Sequence, residues 1–130
     1  MNIKDWTLAY IEYLNSFKGT LEEKSVLGDK ILCKYSDKGR VVYYTNENLI
    51  LEKDADTENN VIVCLNKKDN LNFLIKHWKE FASDKKLKII FVNIKENLQW
   101  AIIPYIHDKF NDSDGLETGL KSLFNSVPSV

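Results

Sequence analysis

The stretch that decides the fold runs from Asn60 to Asn93, with Val61-Ile62-Val63-Cys64-Leu65 at one end and Leu87-Lys88-Ile89-Ile90-Phe91-Val92 at the other. Both runs are rich in β-branched and aromatic residues and show little polar alternation. That composition belongs to neighbouring parallel strands buried on both faces. Between them, Leu71, Leu74, Ile75, Trp78, Phe81 and Ala82 recur at helical spacing, which predicts one amphipathic helix over about residues 70–83. A strand–helix–strand unit of this kind is right-handed in about 98% of cases. Asp69 stands where a side-chain carboxylate would cap the helix start.

Working outward, Trp6, Tyr10, Tyr13, Leu14 and Phe17 mark a first helix over residues 3–18, widened by Ile3 and Leu8 and stopped by Gly19. Aromatic rings carry much area to bury, so this stripe is expected to face the core. Thr20 to Gly28 is polar and reads as a loop or a short helical turn. Lys30 to Tyr35 alternates, Ser36-Asp37-Lys38-Gly39 supplies a hairpin turn, and Val41 to Thr45 returns. Leu49-Ile50-Leu51 is a candidate further strand. The acidic segment 52–60 is the longest polar loop and the segment expected to move most.

Beyond Val92, Leu98 to Ile103 admits a strand or a helix kinked by Pro104. The cluster of β-branched and aromatic residues favours the strand, with Tyr105 to Asp112 a loop. A last helix begins at Ser113 or Asp114, carries Leu116, Leu120, Leu123, Phe124 and Val127, and ends before Pro128. The expected architecture is a single α/β domain over residues 1–130. It is a sandwich with a mixed five- or six-stranded sheet, antiparallel strands on its N-terminal side, the central unit at 61–92, and flanking N- and C-terminal helices.

Bulk composition agrees. The chain has 130 residues, 44% hydrophobic and 28% charged, in the range of ordinary globular domains. Its 18 basic and 19 acidic residues leave a net charge of −1, which gives no general basis for nucleic-acid affinity. The charge is nonetheless uneven. Residues 66–88 hold seven lysines, and residues 46–60 hold Glu47, Glu52, Asp54, Asp56 and Glu58 against Lys53. A basic face of this kind can meet phosphate groups or an acidic partner, although a solvated helix face is its commonest meaning. Cys33 and Cys64, both within apolar runs, read as buried reduced thiols of a cytoplasmic protein. No signal peptide or membrane-spanning stretch is apparent.

Asn66-Lys67-Lys68-Asp69, at the end of an apolar strand, resembles the Asn-Lys-x-Asp motif with which GTPases recognise guanine. That resemblance implies that Asp69 meets the base edge and the Lys67 stem packs on the ring. The Gly-rich phosphate loop of that family is not found among the five glycines. The order helix, strands, helix, strand is similar to the core of restriction-endonuclease-like nucleases. There an acidic residue and an Asp/Glu-x-Lys triplet hold a divalent metal beside an activated water. The corresponding positions are Asp56 and Asn66-x-Lys68, with an amide where a carboxylate would be the better ligand. His107-Asp108 is a candidate general base, and Trp100, Tyr105 and His107 could line a small pocket after Pro104.

The reading that accounts best for these features is a non-catalytic interaction or accessory domain, with a protein partner or a second copy of the chain. No cofactor, metal site, membrane association or nucleic-acid partner is expected. The alternative is a metal- or phosphate-dependent enzyme, or a degenerate relative of the nucleases, using Asp54, Asp56 and residues 66–69. Low-specificity binding positions are Lys67, Lys68, Asp69, Trp100, Tyr105 and His107.

Overall fold

A computed structural model of the chain describes residues 1–51, 59–110 and 113–130. The elements are α1 (Ile3–Lys18), β1 (Leu21–Leu27), β2 (Lys30–Tyr35), β3 (Gly39–Thr45), β4 (Asn59–Leu65), α2 (Lys68–Lys76), α3 (Trp78–Ala82), β5 (Leu87–Asn93), β6 (Leu98–Ile102), α4 (Pro104–Phe110) and α5 (Ser113–Asn125). The six strands form one sheet in sequence order, β1 to β6. β1, β2 and β3 run antiparallel, β3–β4 and β4–β5 are parallel, and β5–β6 is antiparallel again. The mixed α/β sandwich follows the sequence, and the strand number is six.

β4 and β5 form the spine. Ile62 pairs with Ile89, Val63 with Ile90 and Cys64 with Phe91, and all six side chains are buried. Alternation across the pleat sends Ile62, Cys64, Ile89 and Phe91 towards α2, α3 and α5, and Val61, Val63, Ile90 and Val92 towards α1. The C-terminal helix spends its stripe on this chain's own core, since Leu120, Phe124 and Val127 are buried there. Cys33 and Cys64 are buried and free, on opposite faces of the sheet. Among the described residues, no helix is long and apolar enough to cross a membrane.

Several expectations change. Residues 21–27 form strand β1, not a loop. It is an edge strand exposed along nearly its whole length, so it carries no apolar alternation to read. Its pairing is set by the tight Gly28-Asp29 turn, where Gly28 has φ 61°. The helix expected over 70–83 is two helices, interrupted at His77 (φ −106°, ψ 24°). Both pieces keep the same three- and four-residue spacing, so periodicity does not reveal the break. Lys67, not Asp69, is the N-cap of α2, and it makes no side-chain cap bond; Asp69 lies in the first turn. Residues 49–51 form no strand, although Leu49 is buried. The stretch after Pro104 is helix α4, with the proline in its first position, where a missing N–H is harmless. The loop expected to be mobile lies, over 52–58, outside the described residues.

α1 is also rotated from the expected facing. Its buried residues are Ile3, Trp6, Thr7 and Ile11, while Tyr13 is 62% and Phe17 73% exposed. Thr7 can be buried because its hydroxyl donates to the Ile3 carbonyl at 2.8 Å. A polar residue that satisfies itself shifts the centre of the buried stripe away from the aromatic count.

At the C-terminal end of β4, Asn66 is fully buried and fully bonded. Its Oδ1 accepts from Trp100 Nε1 at 2.7 Å, and its Nδ2 donates to the Val127 carbonyl at 3.0 Å. The Phe124 and Pro128 carbonyls lie at 3.3 and 3.4 Å from the same nitrogen. The Asn66 backbone donates to Val92 and accepts from Val130 N–H at 2.9 Å. Asn66→Ala strands a buried indole N–H and a group of carbonyls, so it should lower the unfolding free energy by about 2–4 kcal/mol. Asn66→Asp should cost at least as much at neutral pH, because a carboxylate would face those carbonyl oxygens. Urea titration of the three proteins measures both, and a near-neutral alanine variant would contradict the account.

Candidate binding site

Of the tetrad that resembles a guanine-recognition motif, Asn66 and Lys67 make structural bonds. Asn66 is the tie just described. Lys67 Nζ donates to Asn48 Oδ1, and Lys68 and Asp69 are exposed at the start of α2. In the same first turn of α2, Asn70 is buried, donating to the Glu47 and Leu65 carbonyls at 2.8 and 2.7 Å and accepting from Leu49 N–H at 2.8 Å. The two asparagines therefore fasten the loop after β3 and the C-terminal segment to one end of the sheet. Sequence reading missed Asn70, whose signal is only a polar residue on the inner face of a helix. Asp54 and Asp56 lie outside the described residues. Among the described residues, no three His, Cys, Asp or Glu side chains gather as a metal-holding group.

Of the residues expected around a pocket after Pro104, His107 lines a hollow of about 490 Å³ with Ile103, Ile106 and Phe110, whereas Trp100 and Tyr105 lie outside it. Trp100 is buried and stacks on Phe91, with centroids 4.2 Å apart and planes 6° from parallel. Tyr105 lies between two cations, Lys109 Nζ at 4.4 Å and Lys85 Nζ at 5.6 Å from its ring. The hydrogen bond with Lys109 lowers the pKa of its hydroxyl. His107 meets Trp78 edge-on at 5.7 Å. Burial pushes its pKa below the ordinary histidine value, with Asp108 acting in the opposite sense. Asp108 itself accepts from Trp78 Nε1 at 2.8 Å, which directs that carboxylate to α3 and not to its neighbour His107.

Two surface features beside α1 stand out instead. Next to the N-terminal half of the helix is a hollow of about 830 Å³, lined by Met1, Trp6, Ala9, Tyr10, Tyr13 and Ile94, with Asn97 and Gln99 at its edge. Trp6 and Tyr10 stack at 5.1 Å, and the Trp6 indole donates to Asn97 Oδ1 at 2.9 Å. Tyr13, part of that lining, meets Phe17 edge-to-face at 5.1 Å.

The second feature is a groove of about 360 Å³ between the C-terminal half of α1 and the starting ends of β3, β4 and β5. Tyr10, Leu14, Val41, Tyr43, Ile90, Ile103 and Ile106 give it an apolar wall. Its charged lining, among the described residues, consists of Lys18, Lys38, Lys85, Lys86 and Lys88. These come from three separate places: the last turn of α1, the β2–β3 turn, and residues 85–88 leading into β5. Asn59 and Asn60 start β4 there, and Asn60 is buried. Lys88 is half-buried; burial lowers its pKa, and the charges of Lys38 and Lys18 lower it further. Comparison of the chain with protein-family models, curated protein sequences and solved structures finds no match.

A lysine whose pKa is depressed by folding binds its proton more tightly in the unfolded chain. The folded state is therefore penalised at every pH below the lowered value, and regains stability as pH rises towards the ordinary 10.5. Lys88→Met keeps an unbranched stem against the apolar wall and removes the charge. It should raise the melting temperature at pH 7 by roughly 2–3 °C, a small shift because the ammonium is still partly solvated. The advantage over wild type should shrink as the pH approaches 10.5. Calorimetry across that range checks the sign, and a lower melting temperature at pH 7 would count against the assignment.

Proposed function

We propose that this chain is a non-catalytic interaction domain that pairs with a second copy of itself through α1. The observation that carries this reading is the exposure of Tyr13 and Phe17, two large rings one helical turn apart, beside an apolar hollow. Ala9, Tyr13 and Phe17 follow at four-residue steps and so share one stripe of the helix. An antiparallel copy of α1, crossing at Tyr13, brings each Phe17 over the other chain's Ala9, where the small side chain leaves the hollow open. Phe17 lies eight residues from Ala9, about 12 Å along the helix, so the same patch serves on both sides of a twofold axis. Knob and recess are then supplied by one surface, which is what an isologous contact requires.

The contact is small and belongs with weak, concentration-dependent dimers. Sedimentation velocity should show the weight-average mass rising from 15.1 kDa towards twice that value with concentration. Phe17→Asp should weaken association at least about tenfold, as expected for a central aromatic anchor. Its circular dichroism and melting should stay unchanged, because the ring is not part of the core. A wild-type chain that stays monomeric at its highest soluble concentration would end this reading.

A further inference from the structure

We propose that the lysine-lined groove between α1 and the starting ends of β3–β5 is a binding site for a small polyanion, a ligand carrying two or more phosphate groups. In a chain of net charge −1, five lysines from three separate segments line one concavity. Like charges gathered within a Debye length repel one another, and such a cluster costs folding free energy unless an anion relieves it. Lys88 bears part of that cost: burial, and then the charges of Lys38 and Lys18, disfavour its ammonium. Lysine suits this role because it binds phosphate as a point charge on a flexible stem, with no need for the paired geometry of arginine.

The shape selects for a small ligand. About 360 Å³ lies at the lower end of the range of small-molecule sites, and the groove has one apolar wall and one cationic wall. Asn59 and Asn60 also line it, and the Asn59 amide donates to the Lys38 carbonyl at 3.4 Å, which ties the β2–β3 turn to the start of β4. The position is unusual for a sheet with parallel strands, where ligands ordinarily collect at the carboxyl ends. Here that end is filled by Asn66 and the segment from Phe124 to Val130, which leaves the opposite end open. This site shares Tyr10 with the hollow beside α1 but does not depend on self-association.

Binding of a polyanion must also raise the proton affinity of Lys88, since the bound charge favours the ammonium. The test is a titration of the intact protein with tripolyphosphate at low ionic strength, followed by calorimetry and by amide and lysine side-chain NMR. Saturable one-to-one binding is expected, with shifts centred on Asn59, Asn60, Lys86 and Lys88 and an upward move of the Lys88 titration. Lys38→Ser with Lys86→Ser should weaken affinity at least about tenfold, an energy well above ordinary scatter. Lys121→Ser, on α5 and ion-paired to Glu117, should leave it unchanged. The wild-type shifts localise the site even if the double variant fails to fold. Non-saturable binding, shifts centred on Lys67 and Lys68, equal losses in the Lys121 variant, or binding of long duplex RNA without tripolyphosphate would each overturn the proposal.

Discussion

The fold depends on one buried carboxamide. Asn66 sits where β4 ends, and from there its side chain reaches Trp100 on β6 and the carbonyls that follow α5. A carboxamide offers one acceptor and two donors, and all are engaged. Apolar burial holds the sheet and helices together but does not choose among nearby packings. Directed bonds in a dry interior do, because a misplaced partner leaves a buried polar group unpaired. Asn93 extends the same clasp by donating to the Pro128 carbonyl at 2.9 Å, and Asn70 does the equivalent for the loop after β3. Three asparagines thus close one end of the sheet.

That arrangement explains why residues 66–69 attract attention in the sequence. A polar run straight after a buried strand is the pattern of a ligand-binding turn, and it is equally the pattern of a structural clasp. The distinction lies in where the amide points, and residue types do not carry that information. The spine, by contrast, is plain in the sequence, because doubly buried parallel strands are apolar at nearly every central position, Lys88 being the exception. The exact span of α1 is legible for a related reason: Asn2 accepts from Asp5 N–H at 2.8 Å, and Gly19 takes the left-handed conformation that ends the helix. Both termini use residues whose chemistry suits little else.

What escaped the sequence shares a different cause. β1 is exposed on both faces, so burial writes no pattern into it, and only the Gly28-Asp29 turn betrays the hairpin. Ring size is a poor guide to the facing of α1, where Thr7 and Ile11 lie inside and Tyr13 and Phe17 outside. The groove is half visible. Lys85, Lys86 and Lys88 belong to the lysine-rich run, but Lys18 and Lys38 join them only through the sheet order. A site assembled from three segments has no spacing to recognise.

The bond from Val130 N–H to the Asn66 carbonyl has a consequence for how the chain is made. Synthesis delivers β4 well before the residues that clasp it, a delay of several seconds at about 5–20 residues per second. During that interval Val61 to Leu65 has α1 and the β-meander available on one side, while α5 is still missing from the other. The nascent chain therefore passes through a stage with apolar surface uncovered on one face, and the native end of the sheet closes only after residues 124–130 have been made.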